Sequence, residues 1–88
     1  MKIKDNFVLR QVADTWVVLP LGAATLDFNG MLTLNESGVL LWQALEKGGG
    51  QEELTGVLLA EYEVSREQAS ADVREFLDTL IRAGCVDA

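Results

Sequence analysis

Asn29-Gly30-Met31-Leu32-Thr33-Leu34-Asn35-Glu36 holds a turn pair, a short β-prone run and a helix-start residue in consecutive positions. Asn-Gly is the preferred pair of a type I′ hairpin turn, because both central positions need positive φ. Residues 31–34 then return as a strand, with Leu32 and Leu34 on one face and Met31 and Thr33 on the other. Asn35 carries the side chain of a helix N-cap. The chain before this stretch reads as strand, and the chain after it reads as helix.

Upstream, residues 7–12 are β-prone, Ala13-Asp14 can turn, and residues 15–19 are dense in β-branched and aromatic side chains. Together they predict an antiparallel hairpin. Pro20 ends the second strand or confines it to a position without a ladder bond. Residues 21–25 fit either a loop or a bulged continuation, and Leu26-Asp27-Phe28 resumes a strand pattern.

Downstream, three helices are predicted over about 36–47, 51–62 and 66–83. The first places Gly38, Val39, Leu41, Trp42 and Leu45 on one apolar stripe, and Gly48-Gly49-Gly50 stops it. The second presents Leu54, Leu58 and Tyr62, flanked by Val57, with Glu52 and Glu53 favoured at its positive end. The third opens on Ser65 with Gln68 three residues on, a capping box, and Val64 and Ala69 are placed for a hydrophobic staple. Its apolar face is Ala69, Val73, Phe76, Leu77, Leu80 and Ile81; Gly84 is the expected stop, with Val86 returning to the core.

The predicted fold is α+β and winged helix-turn-helix-like. A three-stranded antiparallel sheet, with room for an extra short strand, is followed by three α-helices. The 88 residues suffice for one small domain, 1–88.

The totals exclude several functions. The net charge is -7, and residues 51–88 carry three basic against nine acidic side chains. Nucleic-acid phosphates would repel that surface. The winged-helix shape keeps DNA binding as a formal alternative, opposed by Glu67, Asp72, Glu75 and Asp78 beside Arg66, Arg74 and Arg82. With no histidine, the commonest general base is missing, and no catalytic residue is assigned. One cysteine, Cys85, rules out an internal disulfide and argues against a metal site; it reads as a small buried residue. No cofactor is expected. The glycine run at 48–50 lacks the lysine and preceding strand of a phosphate loop. The N-terminus has no apolar signal core and no run spans a membrane, so a cytoplasmic, soluble protein is expected. Trp16, Trp42 and Phe76 fit core anchors, or one of them lines a groove.

Residues 31–34 contain neither proline nor charge, the usual protections of an exposed strand edge. Either another element covers that edge, or a peptide adds to it as a further strand, with main-chain bonds giving affinity. Pairing with a second copy of the chain is a third outcome, giving a homodimer.

Leu34-Asn35-Glu36-Ser37-Gly38 followed by Leu41-Trp42 resembles the LNxxG…LW signature of the PqqD family. The similarity runs from Phe7 to Val86 and takes in Val8-Leu9-Arg10, Val17-Val18-Leu19-Pro20, Glu61-Tyr62-Glu63-Val64, Asp72-Val73, Phe76-Leu77, Leu80 and Ala83-Gly84. Residues 21–30 are longer than the family's usual link into the third strand. The resemblance implies a RiPP recognition element, a non-enzymatic domain that binds the leader of a ribosomally made precursor peptide. It presents the leader to a modifying enzyme, often a radical SAM protein, in PQQ or other RiPP biosynthesis. The leader lies against the third strand in a cleft bounded by the third helix. The implied peptide-binding residues are Met31, Leu32, Thr33 and Leu34 on the strand, and Asp72, Val73, Phe76 and Leu80 on the helix.

Overall fold

The computed structural model describes residues 2–4, 6–21 and 32–87. In chain order the elements are β1 (Lys2–Ile3), β2 (Phe7–Val12), β3 (Thr15–Pro20) and β4 (Leu32–Leu34), then α1 (Glu36–Glu46), α2 (Gln51–Glu61), α3 (Arg66–Ala83) and β5 (Val86–Asp87). β2, β3 and β4 form one antiparallel sheet in that order, which leaves β4 at its edge among the described residues. Three antiparallel strands followed by three helices is the predicted α+β fold. Met31, the Asn29-Gly30 turn and the strand expected near 26–28 lie outside the described residues.

The β2–β3 hairpin closes on Ala13-Asp14, and Ala13 takes a positive φ of 56° to make the turn. Pro20 stands two residues beyond Val18, the last β3 residue paired with β4. Its missing N–H therefore removes no described ladder bond. Phe7, Leu9, Val18, Leu32 and Leu34 turn to the helices and pack on the core.

Each helix begins and ends for a local reason. Asn35 caps α1: its Oδ1 accepts from the Gly38 N–H (2.9 Å) and the Ser37 hydroxyl (3.0 Å). Gly48, at φ 90°, then turns the chain out of the helix. Before α2, the Glu53 carboxylate accepts from the Gly50 N–H (3.1 Å), half of a capping box, since glycine has no side chain to return the bond. On α3 the expected box is also half-made. The Gln68 N–H donates to Ser65 Oγ (3.1 Å), but the Gln68 side chain turns forward and donates to Asp72 Oδ1 (2.8 Å). A carboxylate one turn along the helix competes for that amide. Gly84, with φ 79°, terminates α3 as expected.

The helices enclose Trp42, Leu45, Leu54, Leu58, Ala69, Val73, Leu77 and Leu80, each at most 5% exposed. Trp42 is thus a core anchor. Val64 and Ile81, expected near the core, are instead exposed. Val86 returns to the core and is 4% exposed. It does so inside a small sheet absent from the sequence-based expectation: β1 pairs antiparallel with β5. The Lys4 N–H extends this pairing to the Cys85 carbonyl (2.9 Å). Two-residue strands show no periodicity, so only long-range pairing reveals them.

Candidate functional site

Register determines which backbone groups of β4 face away from β3. The Leu21 N–H donates to the Asn6 carbonyl (2.7 Å), directly beyond the Phe7–Pro20 pair. Backbone groups alternate sides along a strand, so odd-numbered residues of β3 bond to β2 and even-numbered ones bond to β4. Trp16 and Val18 therefore serve Leu34 and Leu32, their partners in register. Thr33, opposite Val17, points its N–H and C=O away from β3. Among the described residues no strand pairs with that side.

Beside this edge runs a cleft of about 360 Å³. β4 forms one wall, Phe76, Thr79 and Leu80 of α3 form the other, and Asn35 and Gly38 close one end. Through Asn35, Gly38, Phe76 and Thr79 it continues into a second space of about 500 Å³. That space reaches Leu41, Leu58 and Tyr62 and is bordered by Asp72 and Glu75. The two form one trough along α3 from Leu80 back to Asp72, roughly 12 Å at the helical rise. A trough of that length accommodates about four residues of extended peptide.

Local sequence explains the shape. The Asn35 cap starts α1 immediately after Leu34, so strand and helix meet at a tight corner. Gly38 lies in that corner, where a side chain would press on Leu34 and Asn35. On α3, Asp72, Glu75, Phe76, Thr79 and Leu80 recur at helical spacing and share the trough face. Ala69, Val73 and Leu77 lie further round the helix and are buried.

The structure thus brings together Leu32, Thr33, Leu34, Phe76 and Leu80 around one cleft, and places Asp72 on the border of the adjoining space. Leu80 is fully buried and forms floor rather than rim. Val73 is also fully buried, within the core, and lines neither space. Phe76 is half-buried and forms trough wall, whereas Trp16 lies half-buried in the sheet. The sequence reading missed Asn35, Gly38, Leu41, Leu58, Tyr62, Glu75 and Thr79 as lining, having assigned several of them to caps and core. Glu75 and Thr79 were recoverable, since they flank Phe76 at helical spacing on its solvent side.

The helical side of the trough is acidic. Asp72 and Glu75 border it, and the Tyr62 hydroxyl is pushed up in pKa, first by burial and then by the charges of Glu36 and Glu61. Cys85 lies elsewhere, fully buried, with its thiol pushed up to about 11 by burial while Lys4 pulls the other way. Among the described residues no group of three or more His, Cys, Asp or Glu is placed to hold a metal ion. No described helix is long and apolar enough to cross a membrane.

A small antiparallel sheet whose edge strand faces a trough along the last of three helices defines the class: a PqqD-like domain. Residues 15–86 match the family model of coenzyme PQQ synthesis protein D (PqqD), and the chain belongs to that family. It is similar in structure to TbiB1, solved in complex with the TbiA(beta) leader peptide, at 31% identity and a TM-score of 0.81. That likeness covers 100% of this chain and 96% of TbiB1. It also shares its fold with a lasso peptide synthetase B1 complexed with the leader peptide: 23% identity, TM-score 0.80, covering 99% and 96% of the two chains. No curated protein matches it in sequence.

Proposed function

We propose that this chain is a RiPP recognition element, in which residues 1–88 act as one unit to hold the leader segment of a precursor peptide. The leader adds to β4 as a fourth strand, bonding to the outward N–H and C=O of Thr33. Its side chains enter the trough between β4 and α3 and meet Leu32, Leu34, Phe76 and Thr79, with Leu80 as floor and Asp72 at the border. Val73 acts from beneath, by packing α3 in place.

The observation that carries this reading is the β4 edge, which no strand among the described residues pairs, beside a trough of peptide dimensions. Membership of the PqqD family and the likeness to TbiB1, solved with a leader peptide, support it independently. In this reading the chain binds and passes on its peptide without chemistry of its own, in the cytoplasm. The recipient is a radical SAM enzyme, as the family resemblance implies. The same edge can also pair two copies of the chain, and leader binding would then dissociate that dimer.

The test is a titration of an isotopically labelled sample with the cognate leader peptide. Amide shifts should concentrate at Leu32–Leu34 and along α3 at Phe76 and Thr79. Shifts confined to other surfaces would refute the reading. Sedimentation with and without leader reports the dimer.

A further inference from the structure

The sequence contains three lysines, Lys2, Lys4 and Lys47, and all three line a single groove at the C-terminal end of α1. The groove encloses about 490 Å³. Lys2 and Lys4 arrive from β1 and the residue after it, and Lys47 from the end of α1. Forty-odd residues of chain separate the two sources, so the fold gathers these charges and local sequence does not. Among the described residues the only ion pair joins Arg66 to Glu52, which leaves all three ammonium groups unpaired. The floor is apolar: Leu45 is 1% exposed, Phe7 is 9% exposed, and Ile3 is packed partly into the core. Three cations over an apolar floor stand out on a chain of net charge -7.

We infer that this groove is a docking site for an acidic segment of a second protein that also carries apolar side chains. Charge complementarity sets the sign, since three lysines line this groove against one acidic residue, Glu46, among the described residues. The apolar floor calls for side chains that a bare inorganic anion lacks. Glu46, on the rim, opposes a uniformly anionic ligand and favours one of mixed composition. A concave groove also fits a peptide segment better than a flat membrane surface. α1 is 11 residues long, so this groove and the leader trough lie at opposite ends of the helix, roughly 15 Å apart. Both can be filled at once. The purpose, holding the carrier to the protein that receives the peptide, rests on the function proposed above; the ligand chemistry of the groove does not.

The probe is a fluorescein-labelled synthetic peptide of glutamate and leucine. Glutamine–leucine and glutamate–serine peptides serve as controls, with inorganic phosphate and anionic phospholipid vesicles as competitors. The glutamate–leucine peptide should shift the amides of Lys2, Ile3, Lys4 and Lys47 and leave Leu32–Leu34 unmoved. Binding should weaken about tenfold in a K2Q/K4Q/K47Q variant and further in K2E/K4E/K47E, as expected for three modest ion pairs. Leader binding should be unchanged in the glutamine variant, so a failure here is distinct from failure of the leader trough. Equal binding of the glutamine–leucine peptide would overturn the inference. So would shifts scattered over the surface, or displacement by phosphate or by vesicles.

Discussion

Gly38 and Leu34 approach so closely that a β-carbon on Gly38 would stand 3.2 Å from the Leu34 Cβ. It would stand equally close to Asn35 Oδ1, at 3.2 Å. The edge strand and the first helical turn are thus locked together, and the glycine of the Leu34-Asn35-Glu36-Ser37-Gly38 run has a steric reason. Gly38→Ala gains about 1 kcal/mol of helix propensity. It also forces the corner apart, at a cost of roughly 1–3 kcal/mol for overpacking. The expected net is a destabilisation of about 1 kcal/mol in urea unfolding, with amide shifts at Leu32–Leu34 and weaker leader binding. A Gly38→Ala protein more stable than the parent would contradict this.

Register makes the two neighbouring proline substitutions differ in kind. Leu32 bonds to Val18 within the sheet, and Thr33 directs its backbone outward. Leu32→Pro should therefore destabilise the fold by roughly 3 kcal/mol, in line with proline at other bonded positions. Thr33→Pro should keep most of the stability and lose leader affinity, because the outward donor is gone. Parallel melting and binding curves separate the two, and the reverse pattern would show that the assigned register is shifted by one residue.

Phe76 and Val73 sit three residues apart on α3 and should respond oppositely. Val73 is fully buried, so Val73→Ala should cost about 2 kcal/mol of stability with little change in leader affinity per folded molecule. Phe76 lines the trough and is half-buried. Phe76→Ala should cost less in stability and reduce leader affinity about tenfold or more, as for an aromatic anchor. Calorimetric titration with matched unfolding curves tests both.

Cys85 predicts a loss of stability in alkaline solution. Its thiol is raised from 9.0 to about 11, so the folded state holds the proton more tightly than the unfolded chain. The stabilisation is complete below about pH 9 and is lost as pH rises through about 11. Unfolding free energy should fall by roughly 2 kcal/mol over that window, and Cys85→Ala should flatten that part of the profile. An unchanged slope in the variant would assign the loss to another group.

Much of the fold was legible because its signals are local. Asn35 and Ser65 announce α1 and α3 through side-chain bonds to amides three residues on, and Gly84 announces the end of α3. The site was legible in part. The lack of proline and charge in residues 31–34 marks an unprotected strand, and Phe76 and Leu80 line the same cleft as Leu32–Leu34. Val73 shares their apolar stripe yet turns inward, because one helix serves both core and trough, and hydrophobicity alone does not separate two faces that meet at Phe76.

Periodicity and capping act over spacings of up to about four residues, so the order of β2, β3, β4 and the three helices follows from the chain's own letters. Tertiary pairing decided the rest. The antiparallel match of β3 with β4 determines that Thr33, not Leu32, offers its backbone. The return of β5 to β1 holds Lys2 and Lys4 in place near Lys47. Both outcomes depend on contacts between residues far apart in sequence, which no short window of the chain contains.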